Sequence, residues 1–70
     1  MLDIHLKDQT VVSVSKFEKV VYSMSGSRYE LSSEQFDSFR IFDAATYNFE
    51  GSNKISVRGD QILFVELSNS

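Results

Sequence analysis

Leu2-Asp3-Ile4-His5-Leu6, followed after a polar break by Thr10-Val11-Val12-Ser13-Val14, is the stretch that decides the fold. Leu2, Ile4 and Leu6 alternate with Asp3, His5 and Lys7. Thr10, Val12 and Val14 alternate with Val11, Ser13 and Ser15. A period of two places successive side chains on opposite faces of a strand, so one face of each segment is buried. Lys7-Asp8-Gln9 between them has the composition of a turn. On this pattern His5, the one histidine, faces outward with Asp3 and Lys7.

The alternation continues. Val20, Tyr22 and Met24 form a third strand pattern, and Ser25-Gly26-Ser27 breaks it. Arg28-Tyr29-Glu30-Leu31 then returns as a short fourth strand. Further on, Tyr47 and Phe49 flank Asn48, Ile55 and Val57 alternate with polar neighbours, and Ile62 to Leu67 is apolar but for Glu66. Turns are signalled at Gly51-Ser52-Asn53 and Gly59-Asp60.

Between these sets the character changes. Ser32 and Gln35 stand in capping-box positions, and Phe36, Phe39 and Phe42 recur every three residues. One short helix near 33–42, pressing an aromatic stripe on a sheet, is the expectation. The fold class is therefore mainly β, all-β or α+β. It is a small six- to seven-stranded antiparallel barrel or two-layer sheet within a single domain spanning 1–70.

The two strand sets also resemble each other. Ile4-x-Leu6 and Thr10-x-Val12-x-Val14 recur 43 positions later as Tyr47-x-Phe49 and Asn53-x-Ile55-x-Val57. Phe17-x-x-Val20-x-Tyr22 recurs 45 positions later as Ile62-x-x-Val65-x-Leu67. Pseudo-duplicated meanders over 2–24 and 46–67, joined by 25–45, are one reading; the plain similarity of any two meanders is the other. The alignment turns Leu63, Val65 and Leu67 inward. It turns Ile62, Phe64 and Glu66 outward with Val11 and Val21. The helix stripe or a partner protein would cover that second apolar face.

Composition narrows the chemistry. Seventy residues with 41% hydrophobic and 24% charged side chains suit a folded chain with a thin core, for which dimerisation is a common support. Without cysteine there is neither a disulfide nor a thiolate zinc site. Asp60 and Glu66 lack the oxygen density of a calcium loop. Gly26, Gly51 and Gly59 are isolated turn residues rather than a phosphate cradle, and no serine sits in a nucleophile elbow. Arg58-Gly59-Asp60 reads as turn chemistry. No catalytic residue, metal or cofactor is expected. Met1 to His5 shows no basic-then-apolar leader and no run reaches spanning length, so the expectation is a cytoplasmic chain without membrane attachment.

Charge is uneven. Glu30, Glu34, Asp37, Asp43 and Glu50 stand against Arg40 alone, and the net charge of −3 comes from this middle stretch. A solvated helix face explains it simply; contact with a basic surface is the functional reading. The expected function is a non-enzymatic protein-binding module, an inhibitor or regulator that binds stoichiometrically to a nucleic-acid-handling protein. It would use the five acids with Val21, Ile62 and Phe64 as apolar anchors. Short, cysteine-free acidic chains of this build are common among accessory proteins of phages and mobile elements, and an inhibitor of the anti-CRISPR type suits the description. The alternatives are a small barrel binding single-stranded nucleic acid through aromatics, and a self-associating structural subunit such as a homodimer. Direct nucleic-acid binding ranks below protein binding, because seven basic residues are dispersed among ten acids.

Overall fold

The computed structural model describes residues 1–68. The alternating segments form seven antiparallel strands: β1 (Leu2–Leu6), β2 (Val11–Val14), β3 (Lys19–Met24), β4 (Ser27–Ser32), β5 (Thr46–Glu50), β6 (Lys54–Arg58) and β7 (Ile62–Leu67). They assemble as a three-stranded sheet, β2-β1-β7, and a four-stranded sheet, β4-β3-β5-β6. The architecture is thus mainly β, with the core between two sheets. Leu2, Ile4 and Val14 from one sheet meet Val20, Tyr47 and Phe49 from the other, all fully buried. Hairpin β3–β4 turns on Ser25 (φ 53°) and Gly26 (φ 82°). Positive φ at both central residues is the type I′ geometry that matches strand twist.

No α-helix forms over 33–42. Ser33–Ser38 is a 3-10 segment, and Phe39 after it is extended (φ −67°, ψ 136°). The three-residue spacing of the phenylalanines explains this. In a 3-10 turn, residues i and i+3 eclipse. Phe36 and Phe39 stack accordingly, 5.0 Å apart and 7° from parallel. Asp37 and Ser38 do little to extend a helix, while Phe39 packs on Tyr47 and Phe49 at 5.3 and 6.1 Å. Gln35 Oε1 accepts the Ser32 N–H at 3.1 Å, closing one half of the expected box. The aromatic stripe seals one end of the core beside Phe17 and Phe42 leaves it, 40% exposed.

A second departure lies in β7. His5 pairs with Phe64, but Leu6 pairs with Ile62. Leu63 is the extra residue of a β-bulge, which resets the alternation. Ile62 therefore points into the core, 3% exposed, and Leu63 points out, 59% exposed. Val65 and Leu67 beyond the bulge keep their inward direction and pack on the core.

The two sheets repeat one register. In the first, Leu2 lies between Val14 and Leu67, and Ile4 between Val12 and Val65. In the second, Tyr47 lies between Val57 and Tyr22, and Phe49 between Ile55 and Val20. Each hairpin, β1–β2 or β5–β6, thus takes its third strand from the other half of the chain. Ile4 matches Phe49 here rather than Tyr47: five residues lie between the last paired residues of β1 and β2, His5 and Val11, and three between those of β5 and β6, Glu50 and Lys54.

Candidate interaction surfaces

The outer faces of the two sheets differ. On the four-stranded sheet the registers set out a polar grid. One row is Ser32, Lys19, Glu50 and Lys54; the next is Glu30, Val21, Asn48 and Ser56; the third is Arg28, Ser23, Thr46 and Arg58. Lys19 Nζ lies 3.3 Å from Glu30 Oε1, and Glu50 stands between Lys19 and Lys54. Val21 lies within this grid and is 5% exposed. Alternation put Val21 on the correct face, but the flanking polar side chains leave it no free surface.

The five carboxylates of the middle stretch occupy three places. Glu30 and Glu50 belong to the grid among lysines, Glu34 and Asp37 ride on the 3-10 segment, and Asp43 lies in the loop before β5. Of the three expected apolar anchors, Val21 and Ile62 are buried and Phe64 is 46% exposed.

Phe64 belongs to a different constellation. On the outer face of the three-stranded sheet, Val11, His5 and Phe64 form one row, and Ser13, Asp3 and Glu66 the next. The His5 and Phe64 rings stack with centroids 4.0 Å apart and 13° between planes. Val11 is 50% exposed. Ser13 Oγ donates to Asp3 Oδ1 at 2.6 Å. His5 Nε2 is buried and without a hydrogen-bond partner among the described residues, with Glu66 Oε1 4.0 Å away. A buried polar nitrogen without a partner costs free energy until a donor or acceptor reaches it. Strand alternation marked His5 and Val11 as outward. Their meeting with Phe64 was hidden because it depends on the β1–β7 register and the bulge.

Two further features bear on reactivity. An open cleft of about 440 Å³ is lined by Met1, Lys16, Phe17, Ser33, Glu34, Leu67 and Ser68. Its charges are mixed, and the Met1 ammonium donates to the Ser68 carbonyl at 2.9 Å. At the β1–β2 turn, hydrogen bonds from the Thr10 side chain and backbone hold Asp8 below its ordinary pKa of 3.8. That is turn chemistry. Among the described residues no helix is long and apolar enough to cross a membrane. Comparison with protein-family models, curated proteins and solved structures found no match.

Proposed function

We propose that this chain is a non-enzymatic protein-binding module whose contact surface is the outer face of the three-stranded sheet. The observation that carries this is the Phe64–His5 stack with Val11 beside it, exposed on a sheet face, its buried imidazole nitrogen lacking a partner. Flat aromatic and apolar anchors with a polar rim are what protein interfaces are built around. Asp3 and Glu66 supply the rim and favour a partner with basic groups around an apolar centre. A nucleic-acid-handling protein offers such a surface where it meets phosphate, so a stoichiometric inhibitor or regulator remains the function of choice. The acids engaged are then Asp3 and Glu66, ahead of Glu34, Asp37 and Asp43.

The nucleic-acid-binding alternative is less well supported. Base stacking and phosphate contact must be made on one surface. Here Phe64 and His5 lie among carboxylates on the outer face of one sheet, whereas the rows of Lys19, Arg28, Lys54 and Arg58 on the outer face of the other contain no aromatic residue.

The test is a capture experiment from host lysate with three immobilised proteins: wild type, Val11→Ser/Phe64→Ser, and Glu34→Gln/Asp37→Asn/Asp43→Asn. A protein retained by wild type and the acid-neutralised variant, and lost by Val11→Ser/Phe64→Ser, supports the sheet face. Equal retention by all three, or loss only with the neutralised acids, sinks it.

A further inference from the structure

Two sheets present four edge strands, and three of them are guarded. β4 carries Arg28 and Glu30, and β6 carries Lys54 and Arg58. Charged side chains on an edge discourage pairing with another chain. β2 has no charge, but the C-terminal end of its edge is held from within: Asn53 Nδ2 donates to the Ser13 carbonyl at 3.2 Å, and just past the strand the Ser52 amide donates to the Ser15 carbonyl at 2.8 Å. β7 has neither protection. Its one charge is Glu66, and no strand pairs along its outer edge among the described residues.

Which backbone groups lie on that edge follows from the ladder. Met1 and Ser68 exchange both N–H···O bonds, each 2.9 Å. Hydrogen-bonded and non-bonded pairs alternate along an antiparallel ladder. Asp3–Glu66 is therefore bonded, and the Val65 and Leu67 amides and carbonyls face away from β1. Val20 and Tyr22 hold the matching places in β3, with Leu31 and Tyr29 of β4 beside them. The place that β4 fills beside β3 is vacant beside β7. Burial agrees: Val20 is fully buried, Val65 half-buried.

We infer that this edge pairs with itself, β7 against β7 of a second copy across a two-fold axis centred on Val65, joining two three-stranded sheets into one of six. The strand Ile62–Leu67 can pair antiparallel with its own copy over 63–67, which makes a second copy the occupant, and the charge pattern selects the register. Centring on Glu66 would set two carboxylates face to face, which is destabilising. Centring on Phe64 would place Leu67 opposite Gln61, outside the strand. Centring on Val65 uses the strand length and sets Phe64 of each copy beside Glu66 of the other. An isologous contact of this kind closes at two copies. The exposed Leu63 and Phe64 lie at the seam. The two partner-binding faces become one continuous surface.

The experiment is sedimentation equilibrium over a range of concentrations, with amide exchange read at Val65 and Leu67. Wild type is expected to reach twice the chain mass, with both amides gaining protection as concentration rises. Phe64→Glu places a carboxylate beside each Glu66 and should weaken the dimer by about a hundredfold or more. Phe64→Glu/Glu66→Lys restores opposite charges across the seam and should restore the dimer. Circular dichroism of each variant checks that the exposed substitutions leave the fold intact. Wild type that stays monomeric throughout, including one whose β7 pairs only with a strand of another protein, overturns the inference. So does a dimer indifferent to Phe64→Glu, or one that the charge swap fails to rescue. The readout is chain mass, so its failure leaves the capture experiment standing on its own.

Discussion

Val20 of β3 and Val65 of β7 occupy the same place in their sheets. Each faces the core beside an inward residue of the neighbouring hairpin, Phe49 for one and Ile4 for the other. Each strand crosses from the opposite half of the chain. The difference lies on the far side. β4 flanks β3, so Val20 is fully buried; nothing described flanks β7, and Val65 is half-buried. Identical inward patterns thus yield a central strand in one sheet and an edge strand in the other. Alternation determines which way a side chain points. Neighbours determine how much of it is dry.

The crossings that make the two halves interlock offer the most forceful way to break this arrangement. β6 passes to β7 through Gly59, whose amide donates to the Ala45 carbonyl at 2.8 Å. A Cβ at Gly59 would lie 1.8 Å from the Phe42 carbonyl oxygen and 3.1 Å from the Tyr47 ring. The backbone around 42–45 cannot yield without moving Tyr47 from the core. Gly59→Ala should therefore cost about 3 kcal/mol or more, measured as a fall in the urea midpoint or outright failure to fold. A variant of wild-type stability would mean that this crossing is looser than described.

The matched valines give the next largest effect and sharpen the comparison directly. Val20→Ala removes two methyl groups from a site with no exposure and leaves a cavity, for an expected loss of about 2–3 kcal/mol. Val65→Ala empties a site that is already partly wet, and should cost about 1 kcal/mol in the monomer. Chemical denaturation at low protein concentration measures both. Equal losses would show that β7 is as well covered as β3, and the edge would not be open.

What was legible in the sequence follows the same division. Period-two alternation places Leu2, Ile4, Val14, Val20, Tyr47 and Phe49 inward, and all six form the core. It misplaced Ile62 and Leu63, because a bulge is a property of pairing between strands and leaves no mark in one strand's pattern. Three-residue aromatic spacing predicts a helix, but the same spacing serves a 3-10 turn followed by Phe39 packed on Tyr47 and Phe49. The stretch from 30 to 50 carries an excess of acid along the chain. Folding then distributes those carboxylates over three places and sets Glu30 and Glu50 beside lysines. Conversely, the Phe64–His5 stack joins residues 59 positions apart, and only the sheet register brings them together.

An effect smaller than the loss at Val20 concerns Tyr47 and its counterpart Leu2. Both are fully buried at matched positions, but Tyr47 carries a hydroxyl that tethers the preceding loop. The Phe42 N–H donates to Tyr47 Oη at 2.7 Å, and the hydroxyl donates to the Arg40 carbonyl at 2.8 Å. Tyr47→Phe leaves the ring packing in place and strands both backbone groups at a partly buried site, for an expected loss of about 1–2 kcal/mol near neutral pH. The pH dependence has a definite sign. Burial raises the Tyr47 pKa above its ordinary value of 10.0, outweighing the bond from the Phe42 amide, which lowers it. The fold thus favours the neutral phenol. Its contribution is complete below pH 10.0 and is lost as the pH rises from there through the folded-state pKa. Ionisation also removes the proton that the Arg40 carbonyl accepts. Wild type should therefore lose its advantage over Tyr47→Phe as denaturation is repeated at increasing pH above 10.0. A gap that stays constant across that range would place the hydroxyl in contact with water, and the loop before β5 would then be held by the aromatic rings alone.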